Sequence, residues 1–339
     1  MQLIKFIIFA CFIVATVQHL TPVYPRKWVH DKIKTRTTND SASNDEVDVR
    51  NDDAGREFQC GNTKHHHQSY NDRIEHGQQS PSNDWPWAAF IHLECEAKKG
   101  GKRETLRACS GVLIGHKWLL TAAHCLYVPA ELLLRCKGNE MTGTPEEGAH
   151  FLVSPEHVRV TLANADLQNL PQLGIQRYIK SDKFRKATDF ENDIALLELK
   201  APLVMDWQIN RICLPSVYLA ANGHAAYVLG YGWTRGPREN NMTRPVPAPT
   251  TILREDLIVL RKSPPCPPSM LCNIQASRQT KPGDSGGPLM REAHGKWYLL
   301  GVTKGHSCQS RSCFTRIGPH CNWISDKTKG DVRCYGNIV

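Results

Sequence analysis

Apolar and polar positions divide the chain into three regimes. After Lys5, Phe6 to Val17 is apolar throughout except for Thr16. Such a run is too short to span a bilayer. With a basic residue before it and modest side chains at Ala15-Thr16-Val17, it predicts a secretory signal peptide over residues 1–17. Apolar side chains then thin out. Asn39 to Asp53 is dominated by Asn, Asp and Ser, which predicts disorder up to about residue 59 because such a segment cannot bury enough surface to offset its ordering. From Trp85 the pattern changes again. Short apolar runs recur at Ala88 to Leu93, Cys109 to Ile114, Lys117 to Ala123, Arg159 to Leu162, Ile175 to Ile179, Ala225 to Gly232, Thr251 to Arg261 and Trp297 to Val302. Gly, Pro or polar residues separate them. Runs of this length and spacing predict an all-β fold of the barrel type.

Composition sharpens this in two ways. At 339 residues with 40% hydrophobic content, the chain can hold two ordinary domains or one larger β fold with extensions. Its thirteen cysteines fit an oxidising compartment, and losing Cys11 with the signal leaves twelve, an even number. The formal charge of +9 is compatible with acidic surfaces such as sulfated glycans, although solubility is the simpler reading. No Lys/Arg run is dense enough to argue for nucleic acid, and no later apolar run reaches membrane length. His65-His66-His67 lies in a polar arm and is read as solvated rather than as a metal site. The stretch Asn164 to Asn169 has one carboxylate, Asp166, too few oxygen ligands for calcium.

The candidate chemistry lies in Pro282-Gly283-Asp284-Ser285-Gly286-Gly287-Pro288. A serine inside a glycine-rich turn can sit beside converging backbone N–H groups, but a hydroxyl needs a base, and the base an orienting group. Upstream, Thr121-Ala122-Ala123-His124-Cys125 and Asn192-Asp193-Ile194-Ala195 each follow or precede an apolar run. The three motifs, in the order His124, Asp193, Ser285, resemble the trypsin/chymotrypsin family of serine endopeptidases over about Cys60 to Ile324. The Ser-His-Asp mechanism is itself a general template for this family, so it is inherited with the resemblance.

The resemblance implies two antiparallel six-stranded β-barrels with a short C-terminal helix. It implies a protease domain over residues 74–326, crossing between barrels near 200–216, and a tail over 327–339. Residues 18–73 become a propeptide and activation arm, cut after Arg73 by a separate activating protease. The freed Ile74 amine would then pair with Asp284. Catalytic residues would be His124, Asp193 and Ser285, with the N–H groups of Gly283 and Ser285 holding the oxyanion and Gln279 and Gly305 lining the substrate pocket. Cys109–Cys125, Cys60–Cys213 and Cys266–Cys272 are the implied disulfides. The other six cysteines are open, with Cys95–Cys136, Cys308–Cys313 and Cys321–Cys334 favoured. Asn39 and Asn241 head glycosylation sequons. Partners would be a protein or peptide substrate, the activating protease and a protein inhibitor, without nucleic acid, membrane, metal or cofactor.

The chain departs from the family pattern at several points. Gln279 stands where trypsin-like enzymes have Asp, so strict Arg/Lys cleavage is not expected. Lys281 replaces a bridging cysteine, Thr303-Lys304-Gly305 replaces Ser-Trp-Gly, and Glu75-His76 replaces Val-Gly. These departures keep a second reading open, a protease-like binding protein with little turnover.

Overall fold

Twelve short strands close into two rings, and the reason lies in how each strand is buried. The structure, a computed structural model, describes residues 59–63, 78–80, 84–138, 145–146, 150–162, 170–184, 191–216, 224–232, 253–261, 266–273, 279–308 and 311–335. All lie within the unit Glu46–Val339. The signal-peptide run, Arg73, Ile74 and the sequons at Asn39 and Asn241 fall outside the described residues.

The first ring comprises β1 (Ala88–Glu96), β2 (Arg103–Leu113), β3 (Trp118–Thr121), β4 (Val158–Leu162), β5 (Leu173–Lys180) and β6 (Ala195–Leu199). Its order is β1-β2-β3-β6-β5-β4, closed by the β4–β1 pairing. The second comprises β7 (Ala225–Gly230), β8 (Arg254–Arg261), β9 (Met270–Asn273), β10 (Pro288–Ala293), β11 (Lys296–Cys308) and β12 (Arg311–Arg316). Its order is β7-β8-β9-β12-β11-β10, closed by β10–β7. All pairings are antiparallel, and a two-residue strand, Gln78–Gln79, adds to β8 outside the second ring. Closure leaves neither ring an unpaired edge. The expected pair of six-stranded barrels is therefore present, with the short helix α1 (Cys321–Lys327) after β12.

Alternation fills the second barrel. Ala226 and Val228 of β7 and Ile258 and Leu260 of β8 point inward with Leu271, Leu289, Leu300 and Phe314, the period of two that strands impose. The first barrel's core continues into the seam between barrels. There the Trp85 ring meets Trp297 edge-on at 4.7 Å and Tyr227 at 5.8 Å, contacts that add to simple area burial. The polar tip of Trp85 is satisfied: its Nε1 donates to Glu255 Oε2 at 2.6 Å.

The segment 200–216 stitches the barrels together. Ile212 N donates to Leu113 O at 3.1 Å, Cys213 N to Trp297 O at 3.1 Å, and Leu299 N to Cys213 O at 2.8 Å. Five complete disulfides occur among the described residues: Cys60–Cys213, Cys95–Cys136, Cys109–Cys125, Cys266–Cys272 and Cys321–Cys334. Cys313 is also disulfide-bonded, and the side chain of Cys308 lies outside the described residues.

Two elements are longer or richer than the apolar pattern predicts. β2 begins at Arg103, six residues before Cys109, because its outer end carries the polar, largely exposed segment Arg103-Glu104-Thr105, which no apolar pattern marks. The enlarged loop after His124 holds a small sheet in which Tyr127–Pro129 pairs with His150–Leu152 and that with Pro145–Glu146.

Candidate active site

The pairing of β3 with β6 brings two chain ends together. Thr121 lies opposite Ala195, so the turn leaving β3 meets the residues entering β6. The turn, Ala123–Leu126, is a single buried 3-10 turn locked to β2 by Cys109–Cys125. On the other side Asn192 adopts a left-handed backbone, φ 56°, a conformation Asn tolerates better than most residues. Ile194 N donates to Asn192 O at 2.8 Å across that turn.

Asp193 is fully buried and uses both carboxylate oxygens on one residue. Oδ1 accepts from the His124 backbone N–H at 2.9 Å, and Oδ2 lies 2.6 Å from His124 Nδ1. An ionised carboxylate only accepts, so Nδ1 carries the hydrogen and Nε2 is the basic nitrogen. The Asp193 carbonyl in turn accepts from Thr315 Oγ1 of the second barrel at 3.1 Å. Arg107, which the sequence reading passed over, donates to Tyr127 O at 2.9 Å. Burial lowers its pKa, and the Asp193 charge opposes that shift.

The serine turn comes from the second barrel and is held by backbone bonds on both sides. Gly286 N donates to Thr303 O at 2.7 Å and Thr303 N to Gly287 O at 2.8 Å, which ties the turn to β11. Toward the first barrel, Ser110 N donates to Ser285 O at 2.7 Å. Ser110 Oγ donates to Gly283 O at 2.8 Å and accepts from Tyr231 N at 3.0 Å. Ser110 follows Cys109, the cysteine bonded to Cys125 beside His124. One dipeptide of β2 therefore anchors both the histidine turn and the serine turn. Cys125 Sγ sits between them, 4.0 Å from His124 Nε2 and 3.7 Å from Ser285 O. The grouping of Cys109, His124 and Cys125 is not a metal set, because both sulfurs are spent in the disulfide.

Glycine is required here by contact as well as by φ. Gly286 has φ 85°, and a Cβ on it would overlap Thr121 Oγ1 and Ser110 O. Gly283, at φ 101°, opens the turn. The N–H groups of Asp284, Gly286 and Gly287 all donate within the fold. Among the described residues those of Gly283 and Ser285 have no such acceptor.

Asp284 directs its carboxylate at two backbone donors. Gly232 N reaches Oδ1 at 2.7 Å and Lys281 N reaches Oδ2 at 2.6 Å. The residue as a whole is half-buried, but the carboxyl group is enclosed. Burial pushes its pKa up to about 6, against the lowering effect of those two N–H bonds. Gly230 and Gly232 allow this approach, since a Cβ at either would overlap the carboxylate.

On the pocket side, Gly305 (φ 112°) lies against the serine: a Cβ there would sit 3.9 Å from Ser285 Oγ. Gln279 is half-buried and precedes Thr280, whose N–H donates to Ser312 Oγ at 2.8 Å. Lys304 is buried and Lys281 exposed. Thus His124 and Asp193 meet directly, while Ser285 is joined to them through Ser110 and the Cys109–Cys125 bridge.

Residues 74–324 match the family model described as Trypsin. The chain belongs to the trypsin family. Among curated trypsin-family relatives, vitamin K-dependent protein C of Mus musculus is 28% identical over 267 residues, covering 74% of this chain and 51% of the mouse protein. The chain spans about half the length of that relative. No helix among the described residues is long and apolar enough to cross a membrane.

Proposed function

We propose that this chain is a secreted serine endopeptidase, made as a zymogen and activated by cleavage after Arg73. The observation that carries the reading is the double grip of Asp193 on His124, through both the backbone N–H and Nδ1, beside a serine turn fixed to the same dipeptide of β2. His124 Nε2 removes the Ser285 hydroxyl proton as Oγ attacks a peptide carbonyl carbon. Asp193 keeps the imidazole in the useful tautomer and balances the imidazolium charge. The N–H groups of Gly283 and Ser285, which have no acceptor among the described residues, hold the carbonyl oxygen as it becomes anionic. One such donor contributes about 3 kcal/mol of barrier lowering. His124 then returns the proton to the leaving amine, the C–N bond breaks, and water releases the acyl group by the reverse path.

Asp284 supplies the link to activation. A carboxyl group this enclosed is costly to ionise even with two backbone N–H donors and the charges of Lys281 and Arg254 acting on it, and an ammonium beside it offsets that cost. The α-amine of Ile74, freed by the cut, is the group proposed to fill that role. Gln279 lacks the charge that holds Arg or Lys, so the substrate side chain is proposed to be neutral and polar, and a different protease makes the Arg73 cut.

Profiling a peptide library with the chain cut after Arg73 tests this reading. Turnover with no preference for Arg or Lys at the cleaved position is expected. Strict cleavage after Arg or Lys would refute the pocket assignment, and absence of turnover by folded, cut protein would refute the peptidase assignment. The second reading, a protease-like binding protein, draws on one observation: Lys304 is buried where the family has an apolar tryptophan wall.

A further inference from the structure

The hairpin joining β1 to β2 carries a concentration of positive charge that the catalytic reading does not use. Its loop, Ala97 to Lys102, turns through Gly100 and Gly101, at φ 85° and 62°, and closes with Ala97 N donating to Lys102 O at 2.8 Å. The segment Arg135 to Lys137 lies alongside, joined by an isolated bridge and flanking backbone hydrogen bonds. Ala97 bridges Cys136, Lys98 N donates to Arg135 O at 2.9 Å, Lys137 N donates to Glu96 O at 2.7 Å, and Cys95–Cys136 fastens the two. Six cations are thereby presented together on a braced surface: Lys98, Lys99, Lys102, Arg103, Arg135 and Lys137, all exposed.

The acids nearby do not neutralise this group. Glu94 is buried and already shared between Arg103 and Arg159. Glu96 pairs with Lys137 at 3.0 Å and Glu104 with Arg135 at 3.2 Å. The paired cations still keep much of their surface, 64% for Arg103, 58% for Arg135 and 62% for Lys137. Lys98, Lys99 and Lys102 have no side-chain ion pair among the described residues. From Arg103 to Ser110, β2 runs seven residues, roughly 20 Å at strand rise. The patch is therefore a surface apart from the serine turn.

We propose that this surface binds a sulfated polysaccharide. Three features favour that partner. The unpaired charges are lysines, compact point charges suited to many dispersed anions rather than to one planar, bidentate group. No aromatic side chain lies in the hairpin loop or in Arg135 to Lys137, so no platform for stacked bases accompanies the charge. Leu134 borders the patch, 70% exposed, but a single apolar side chain is ordinary surface and does not form the apolar centre of a protein interface. The proposal is independent of catalysis by Ser285.

The test uses the full-length secreted chain and heparin as probe, with affinity measured over a range of salt. The triple variant Lys98→Gln/Lys99→Gln/Lys102→Gln is compared with a control of equal charge change at exposed lysines elsewhere, Lys183→Gln/Lys200→Gln/Lys329→Gln. Melting temperature establishes that both fold as wild type. At physiological salt the patch variant is expected to bind heparin about tenfold or more weakly. Its log affinity against log salt should flatten by about two, as expected when three charge contacts are lost. The control is expected to stay near wild type, and desulfated heparin to bind weakly. Equal loss in the control, or unchanged binding by the patch variant, would overturn the proposal. Polyglutamate or duplex DNA binding the patch as tightly as heparin would also overturn it, because sulfate would then not be what the surface selects.

Discussion

The two barrels trace the same ring of strands, yet matching corners of the two rings hold different chemistry. In the first, the end of β3 meets the start of β6, and the residues just beyond those ends are His124 and Asp193. In the second, the end of β9 meets the start of β12 in the same way, with Cys272 opposite Cys313. There the facing atoms are sulfurs 3.6 Å apart. Cys272 is bonded to Cys266, and Cys313 belongs to a further disulfide. One corner is a hydrogen-bonded imidazole–carboxylate pair and the other is a cluster of disulfide sulfurs. The ring decides which strand ends meet, and the few residues at or just beyond those ends decide what the meeting does.

That contrast can be broken by changing each corner in turn. Asp193→Asn keeps the shape but leaves His124 in the wrong tautomer, so kcat of the activated chain should fall about 10⁴-fold while the melting temperature moves little. The matching change in the second barrel, Cys266→Ala with Cys272→Ala, should do the reverse. Stability should drop by about 2 kcal/mol for a loop this short, measured by denaturant titration, while kcat stays within a few-fold.

The serine turn adds a pH test. A carboxyl whose folded pKa, about 6 for Asp284, exceeds its unfolded value keeps its proton longer in the folded state. Its contribution to stability is fully present below the unfolded pKa and is lost as pH rises through about 6. The loss is about 3 kcal/mol, from the displacement of the pKa. The uncut chain should therefore lose stability between about pH 4 and about pH 6, and level off above that, in a way that Asp284→Asn abolishes. Cleavage after Arg73 should also remove that loss, because an ammonium partner draws the pKa back down.

A smaller effect is expected at the joint between barrels. Ser110→Ala leaves the Tyr231 N–H and the Gly283 carbonyl without their buried partner. That should cost about 2 kcal/mol of stability and should lower kcat more than it raises KM, since the turn loosens without losing any group that touches substrate.

How far these features were legible from the residues depends on the kind of contact. His124, Asp193 and Ser285 stand in local motifs, and the barrels show as short apolar runs, so both could be read along the chain. Ser110 could not. Its partners are backbone groups of Gly283, Ser285 and Tyr231, more than a hundred residues away, and such groups leave no mark on side-chain identity. Arg107 was missed for a related reason: it lies in the outer, charged half of β2, where alternation is broken by exposed polar residues. The positive hairpin was visible only as part of a net charge. Its concentration appears once Cys95–Cys136 places Arg135 and Lys137 beside Lys98.

The central claim, that Ser285 is a nucleophile activated by His124 and Asp193, is tested most directly by covalent labelling. The chain cut after Arg73 is treated with a fluorophosphonate, whose phosphorus accepts the serine oxygen as fluoride leaves, and the adduct is located by peptide mass analysis. A stoichiometric adduct on Ser285, slowed strongly by Asp193→Asn, is the expected result. Folded, cut protein with no adduct on Ser285, or with labelling indifferent to Asp193→Asn, would contradict it.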